Sequence, residues 1–191
     1  MNIIRPSRVF RWVVRLFLLV FTLSLSTVGF LGGFSAVTIL DPKSYNVNVP
    51  DGPIVLNLDI TNTSSMQIIV PFNITNAGVY DLTKIELSFQ VSMNYGNTLL
   101  PGNASTTVKI FDKSQFYGTV AHGGFLKSSL NGNATEGFIL PNIPPLLNID
   151  WYRTPNILEF RANLTFSASY SLNLYRFTTS IINYPIYNLT L

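Results

Sequence analysis

The sequence predicts an all-β domain, built as an antiparallel β-sandwich and preceded by one transmembrane helix. Three observations carry this. Residues 16–40, LFLLVFTLSLSTVGFLGGFSAVTIL, hold no charge and exceed the about 20 apolar residues a helix needs to cross a bilayer. Three later segments alternate apolar and polar residues with a period of two, the mark of half-buried antiparallel strands. No segment beyond residue 41 carries a helical apolar stripe.

In chain order, residues 1–15 form a basic N-terminus with Arg5, Arg8, Arg11 and Arg15. Such a cluster favours a cytoplasmic N-terminus, which puts residues 41–191 outside the cell. Asp41-Pro42-Lys43 closes the apolar run. The competing reading is a cleaved secretory signal, whose apolar core spans about 7–15 residues before a small-residue cleavage site. The run here is longer and no A-x-A pattern follows, but Gly32, Gly33, Ser35 and Ala36 are small enough for cleavage. A prepilin-type signal would want a small residue beside the basic one, and Arg15-Leu16 does not supply it. Gly29, Gly32 and Gly33 either admit a second helix or are simply tolerated in a span.

Short strands are expected at 45–49 and 54–60. Over 66–75, Met66, Ile68, Val70, Phe72 and Ile74 alternate with polar or smaller neighbours. Pro71 inside that strand predicts an edge or a bulge. Over 84–93, Ile85, Leu87, Phe89, Val91 and Met93 form the apolar face. A strand at 106–111 follows, then a short helix or loop within 115–130, where Gly118, Gly123 and Gly124 oppose a long helix. A strand at 136–140 precedes PNIPPLLNIDWYRTPN (141–156), whose four prolines suit a crossing between sheets. Over 161–174 the inward set is Ala162, Leu164, Phe166, Ala168, Tyr170, Leu172 and Leu174. The run 158–176 is too long for one straight strand, so it bends near Ser169 or splits. A last strand covers 180–190. Turns are expected at Asn76-Ala-Gly78, Tyr95-Gly-Asn97, Pro101-Gly-Asn103 and Asn131-Gly-Asn133. Many short strands with turns between them predict a two-sheet, immunoglobulin-like sandwich.

Residues 41–191 are one ordinary domain, long enough for a core without staples. The chain has no cysteine, so disulfides, thiolate metal sites and cysteine nucleophiles are excluded. An exported domain without disulfides suits a prokaryotic or archaeal surface. Beyond the span, eight basic residues face nine acidic ones, so no nucleic-acid surface of clustered Lys and Arg exists. A surface so poor in charge suits an acidic medium or a glycan coat. Six N-x-S/T sequons, at Asn62, Asn73, Asn103, Asn133, Asn163 and Asn188, all lie beyond the span, where a glycosylating enzyme reaches them. The strand phase puts Asn73 and Asn163 on outward faces, where glycans would fit.

The segments IIVPFNITNAGVYDLTKIELSFQVSMNYGNTLLPG (68–102) and SSLNGNATEGFILP (128–141) give the chain a resemblance to the LEA14-like (water-stress and hypersensitive response) β-sandwich family, over roughly residues 54–141. The shared features are an apolar strand ending in an Asn corner, a second strand with a glycine turn, and a later glycine-turn hairpin ending in an apolar-Pro pair. The family's usual Asn-Pro corner reads Asn76-Ala77-Gly78 here. Membrane-anchored members have the same layout. The resemblance implies an immunoglobulin-like sandwich, a non-catalytic role in stress protection or envelope binding, and no catalytic residue.

Chemistry-bearing residues are sparse. His122 is the sole histidine. It is either a general base or a structural loop residue, and no G-x-S-x-G elbow accompanies it. One histidine and no cysteine make a zinc site untenable. Asp41, Asp51, Asp59, Asp81, Asp112 and Asp150 are scattered, with no EF-hand spacing, and no nucleotide motif occurs. Asp150 and Glu159 are nameable as a glycosidase pair, without anything to bring them together. Trp151, Tyr152, Tyr170, Tyr175, Tyr184 and Tyr187 read as core and sheet-face aromatics or as a platform for sugars or a partner. The expectation is a non-catalytic, cofactor-free, membrane-anchored module of the cell envelope or of a membrane complex, with a protein partner. The alternatives are a surface-filament subunit that exchanges its apolar C-terminal strand after N-terminal processing, and a carbohydrate-active enzyme.

Overall fold

A computed structural model describes residues 6–41, 43–59, 61–96, 98–99, 105–143, 148–150, 158–170, 173–186 and 189–190. One helix, α1 (Pro6–Leu40), leads into nine strands: β1 (Val47–Asn48), β2 (Val55–Asn57), β3 (Gln67–Thr75), β4 (Thr83–Gly96), β5 (Ser105–Tyr117), β6 (Phe125–Asn133), β7 (Leu158–Tyr170), β8 (Tyr175–Pro185) and β9 (Leu189–Thr190). The sequence places the start of the helix at residue 16. The structure extends it back through the arginine cluster to Pro6, a residue pre-set for a first helical position. Its stretch Val9–Leu40 is long and apolar enough to cross a membrane. Within it, the hydroxyls of Thr22, Ser24 and Thr27 donate to the carbonyls of Leu18, Val20 and Leu23 at 2.7–2.9 Å, so these polar groups are satisfied inside an apolar surround.

The strands form two sheets. In one, β3 pairs with β6 on one side and with β1 and β2 on the other, and β9 lies beside β2; the second runs β5-β4-β7-β8. All pairings are antiparallel except β2 with β9. Ile68, Val70, Phe72 and Ile74 of β3 face Ile85, Leu87, Phe89, Val91 and Met93 of β4 and Ala162, Leu164 and Phe166 of β7, all buried in one core. This is the predicted β-sandwich with its N-terminal helix.

Several local expectations need correction. Pro71 sits in a central strand, not at an edge. Its carbonyl accepts the Asp51 N–H at 2.7 Å, and a strand residue's N and C=O point to the same side. The missing donor therefore faces the break between β1 and β2, where no ladder bond is lost. The 115–130 region is mostly strand: β5 runs to Tyr117 and β6 starts at Phe125. Asn131-Gly-Asn133 ends β6 instead of turning, and the turn comes at Ala134-Thr135. Residues 136–138 make only isolated bridges, to Asn133 and Phe111 among others. The 158–176 run splits: β7 ends at Tyr170, and Leu174, expected inward, is exposed. Leu172, most of 141–156 and the turn at 101–103 lie outside the described residues. The C-terminal strand β9 pairs with β2 of its own domain.

The rings of Phe111 and Tyr117 fill the space over β6, whose inward residues include Ser128, Leu130 and Gly132. Phe111 stacks edge-on against Phe138 at 5.1 Å, and Tyr117 against Phe72 at 4.7 Å. A Cβ on Gly132 would lie 2.3 Å from the Phe111 ring. Because Phe111 is fully buried, Gly132→Ala is expected to cost about 2–3 kcal/mol by overpacking. Thermal unfolding measures this, and Phe111→Leu in the same chain should restore part of it.

Candidate functional site: the helix–sandwich junction

The last two turns of α1 are part of the sandwich. Ser35, Ala36 and Ile39 are buried, and Ala36 and Ile39 belong to the core. The Ser35 hydroxyl donates to Leu31 O at 2.7 Å and its oxygen accepts the Val79 N–H at 2.9 Å. The Asn46 side-chain amide donates to Thr38 O at 3.2 Å. The Asn46 bond satisfies a last-turn carbonyl that would otherwise lack a partner.

Ser35 meets a corner organised by Asn76, which is fully buried. Its Nδ2 donates to Tyr80 O and Val120 O, both at 2.9 Å. Its Oδ1 accepts Gly78 N–H at 3.1 Å and Tyr170 O–H at 2.7 Å. Both side-chain donors and both lone pairs are thus used. The Asn76 backbone adds pairs to Gly123 and Gly124. Gly78 is packed so closely that a Cβ there would meet Tyr170 Oη at 2.6 Å and Ser35 Cβ at 2.8 Å. Burial pushes the Tyr170 phenol well above its ordinary range, and pushes that of Tyr117 to about 12.

His122 belongs to this corner. Its Nδ1 lies against Gly78 O and its N–H donates to Asp81 Oδ1 at 3.0 Å. The geometry is that of a loop brace. Of the other carboxylates, Asp59 accepts from Thr61, Asn62 and Ser65, bonds that hold its pKa below the usual carboxylate range, the Thr61 hydroxyl most strongly. Asp112 pairs with Lys109 at 2.6 Å, and Asp51 lies 3.8 Å from Lys127. Glu159 is held by Arg161 at 2.9 Å, while the Asp150 N–H donates to Gly96 O. Among the described residues no group of three metal-ligating side chains comes together.

The aromatic residues of that set among the described residues, Tyr170, Tyr175 and Tyr184, have separate surroundings. Tyr170 is in the core, stacked on Phe177 at 5.7 Å, Tyr175 packs on Gly33 of the helix, and Tyr184 is on the edge strand β8; Trp151, Tyr152 and Tyr187 lie outside the described residues. A cleft of about 160 Å3 opens between the helix end, β1 and β8, floored by Leu87, Leu164 and Phe166.

Among the sequons, Asn62 and Asn133 are exposed. Asn133 stands opposite Gln67 at the start of β3, while the helix joins at the end of β3 near Thr75 and Asn76. At about 3.4 Å per residue that is roughly 27 Å away. Asn73 and Asn163 do face outward, yet both are half-buried. The Asn73 Oδ1 is enclosed without a partner, and the Asn163 Oδ1 accepts Asn183 N–H at 2.9 Å. Asn103 and Asn188 lie outside the described residues.

Sequence reasoning marked Asn76-Ala-Gly78 as a turn but not as the hub of the junction; it named Ser35 only as a small residue near a cleavage site and Tyr170 as an inward or platform aromatic, without their bonds to this corner. The signal for Asn76 was its position at the end of an apolar strand. Nothing local connects it with residues 41 and 94 positions away.

No protein-family model matches the chain, and no curated protein does. Solved structures similar to the chain include Spo0M, a sporulation control protein from Bacillus subtilis, at 12% identity and a TM-score of 0.31, over 65% of this chain. The chain spans 43% of that protein's length. A protein of Arabidopsis thaliana is similar at 14% identity and a TM-score of 0.39, over 75% of this chain and 82% of the other.

Proposed function

We propose that the chain is a membrane-anchored, extracytoplasmic β-sandwich module that acts by binding or as structure, in the cell envelope or as an accessory subunit of a membrane complex. The observation that carries this reading is the junction. Ala36 and Ile39 lie in the core and Ser35 holds Val79, so residues a signal peptidase would sever are working parts of the folded domain. The arginine cluster before the span supports a cytoplasmic N-terminus, and the exposed Asn62 and Asn133 support glycan attachment on the outer side. The strand-to-corner sequence around Asn76 supports membership in the LEA14-like group in a membrane-anchored version, and an exported domain without cysteine suits an archaeal surface.

The test is isolation of the native protein from membranes, with its N-terminus and its companions identified by mass spectrometry. An intact N-terminus with a stoichiometric partner supports the anchored subunit. A new N-terminus near residues 30–41 in large homopolymers supports the filament reading instead.

A further inference from the structure

The sandwich floor meets α1 at a defined height. Gly33 lies under the Tyr175 ring, 3.7 Å from where its Cβ would be, and Ser35 holds the 78–81 loop through Val79. Before these residues the helix is bare, exposed from Val9 through Thr27. From Trp12 to Gly33 the helix rises about 32 Å at 1.5 Å per residue, against about 30 Å for the hydrocarbon core. The bilayer thickness therefore runs out where the first sandwich residues begin. Trp12 is 69% exposed at the inner end, and the neighbouring Arg15 can extend its charge to the interface. Tyr175 supplies the matching interfacial aromatic at the outer end, from the sandwich and not from the helix.

Two large apolar side chains flank the helix at that height and lack cover: Val79, 46% exposed, and Leu174, 59% exposed. One sits on the loop bonded to Ser35, and the other precedes the tyrosine that covers Gly33. Exposed charges nearby, Asp81, Lys84 and Arg176, are of both signs, which suits zwitterionic headgroups. We propose that the floor of the sandwich, the 78–81 loop and the 173–175 turn, is a lipid-contacting surface seated at the boundary between headgroups and acyl chains. The helix then holds the domain in a fixed attitude on the bilayer instead of tethering it. This inference rests on the membrane-spanning reading of α1.

The absence of cysteine makes the test direct. Single variants Leu174→Cys, Val79→Cys, Leu19→Cys and Asn62→Cys of the full chain take a nitroxide label in phosphatidylcholine nanodiscs. Collisions with oxygen, which partitions into lipid, are compared with those of a water-soluble nickel chelate. The expected result is an oxygen-to-nickel ratio at 174 and 79 severalfold above that at 62, with 19 deepest. Ratios at 174 and 79 equal to that at 62, with 19 still deep, overturn the seated floor and leave the span standing. A nickel-accessible 19 overturns the span and the seated floor with it.

Discussion

A chain beginning at Asp41 is expected to be about 4–6 kcal/mol less stable than one beginning at Gly32. Four losses make up that figure. Ile39 is 1% exposed, and losing a buried side chain of its size together with the cavity it leaves costs about 2–5 kcal/mol. Ala36 leaves a smaller gap beside it. The Val79 N–H loses the Ser35 oxygen and the Asn46 amide loses Thr38 O, each worth about 1 kcal/mol. Chemical denaturation of the two chains in mild detergent measures the difference. Equal midpoints would show that the helix end is merely laid against the sandwich, and would reopen the cleaved-signal reading. Ile39→Ala in the full chain isolates the packing part.

Asn76→Ala is the point substitution with the largest expected effect, about 3–5 kcal/mol, or roughly 10 °C in melting temperature for a domain of this size. It removes four hydrogen bonds at once, strands the Tyr170 hydroxyl in a buried site, and leaves the Val120 carbonyl with the Leu82 N–H alone. Tyr170→Phe removes one of the four and leaves the Asn76 Oδ1 with Gly78 N–H, so about 1–2 kcal/mol is expected. The two changes share a bond and should be less than additive. Asn76→Asp keeps the acceptor but turns a carboxylate toward two carbonyls, and it should be no milder than alanine. A smaller loss for Asn76→Ala than for Tyr170→Phe would mean that the backbone pairs to Gly123 and Gly124 hold the corner without the side chain.

The alternation that betrayed β3, β4 and β7 survives because each is central and its inward side chains are all supplied by itself. In β5 and β6 the same rule fails for identifiable reasons. β5 shifts register opposite Val91 and Ser92, and Ile110 and Phe111 are both buried. One extra residue thus moves the inward set from even to odd positions, so the pattern after Phe111 reads as noise. β6 shows almost no apolar alternation because Phe111 and Tyr117, from the other sheet, occupy the volume its own side chains would fill. The split after Tyr170 was open in the sequence and was decided by the turn at Asn173, which has a positive φ of 69°.

By itself the sequence determined the helix, the class of the domain, the three central strands and the exclusion of thiolate chemistry. Each of these follows from local periodicity or composition, which a chain expresses wherever it is placed. Only the tertiary structure decided that Asn76 joins Tyr170 and the 120–124 loop, that Pro71 faces a break between two strands, and that the outward sequons Asn73 and Asn163 are half-covered. It also decided that the helix is built into the sandwich. Those outcomes depend on contacts between residues tens of positions apart, whose energy is set by packing and by the satisfaction of buried polar groups, and neither has a signature in neighbouring residues.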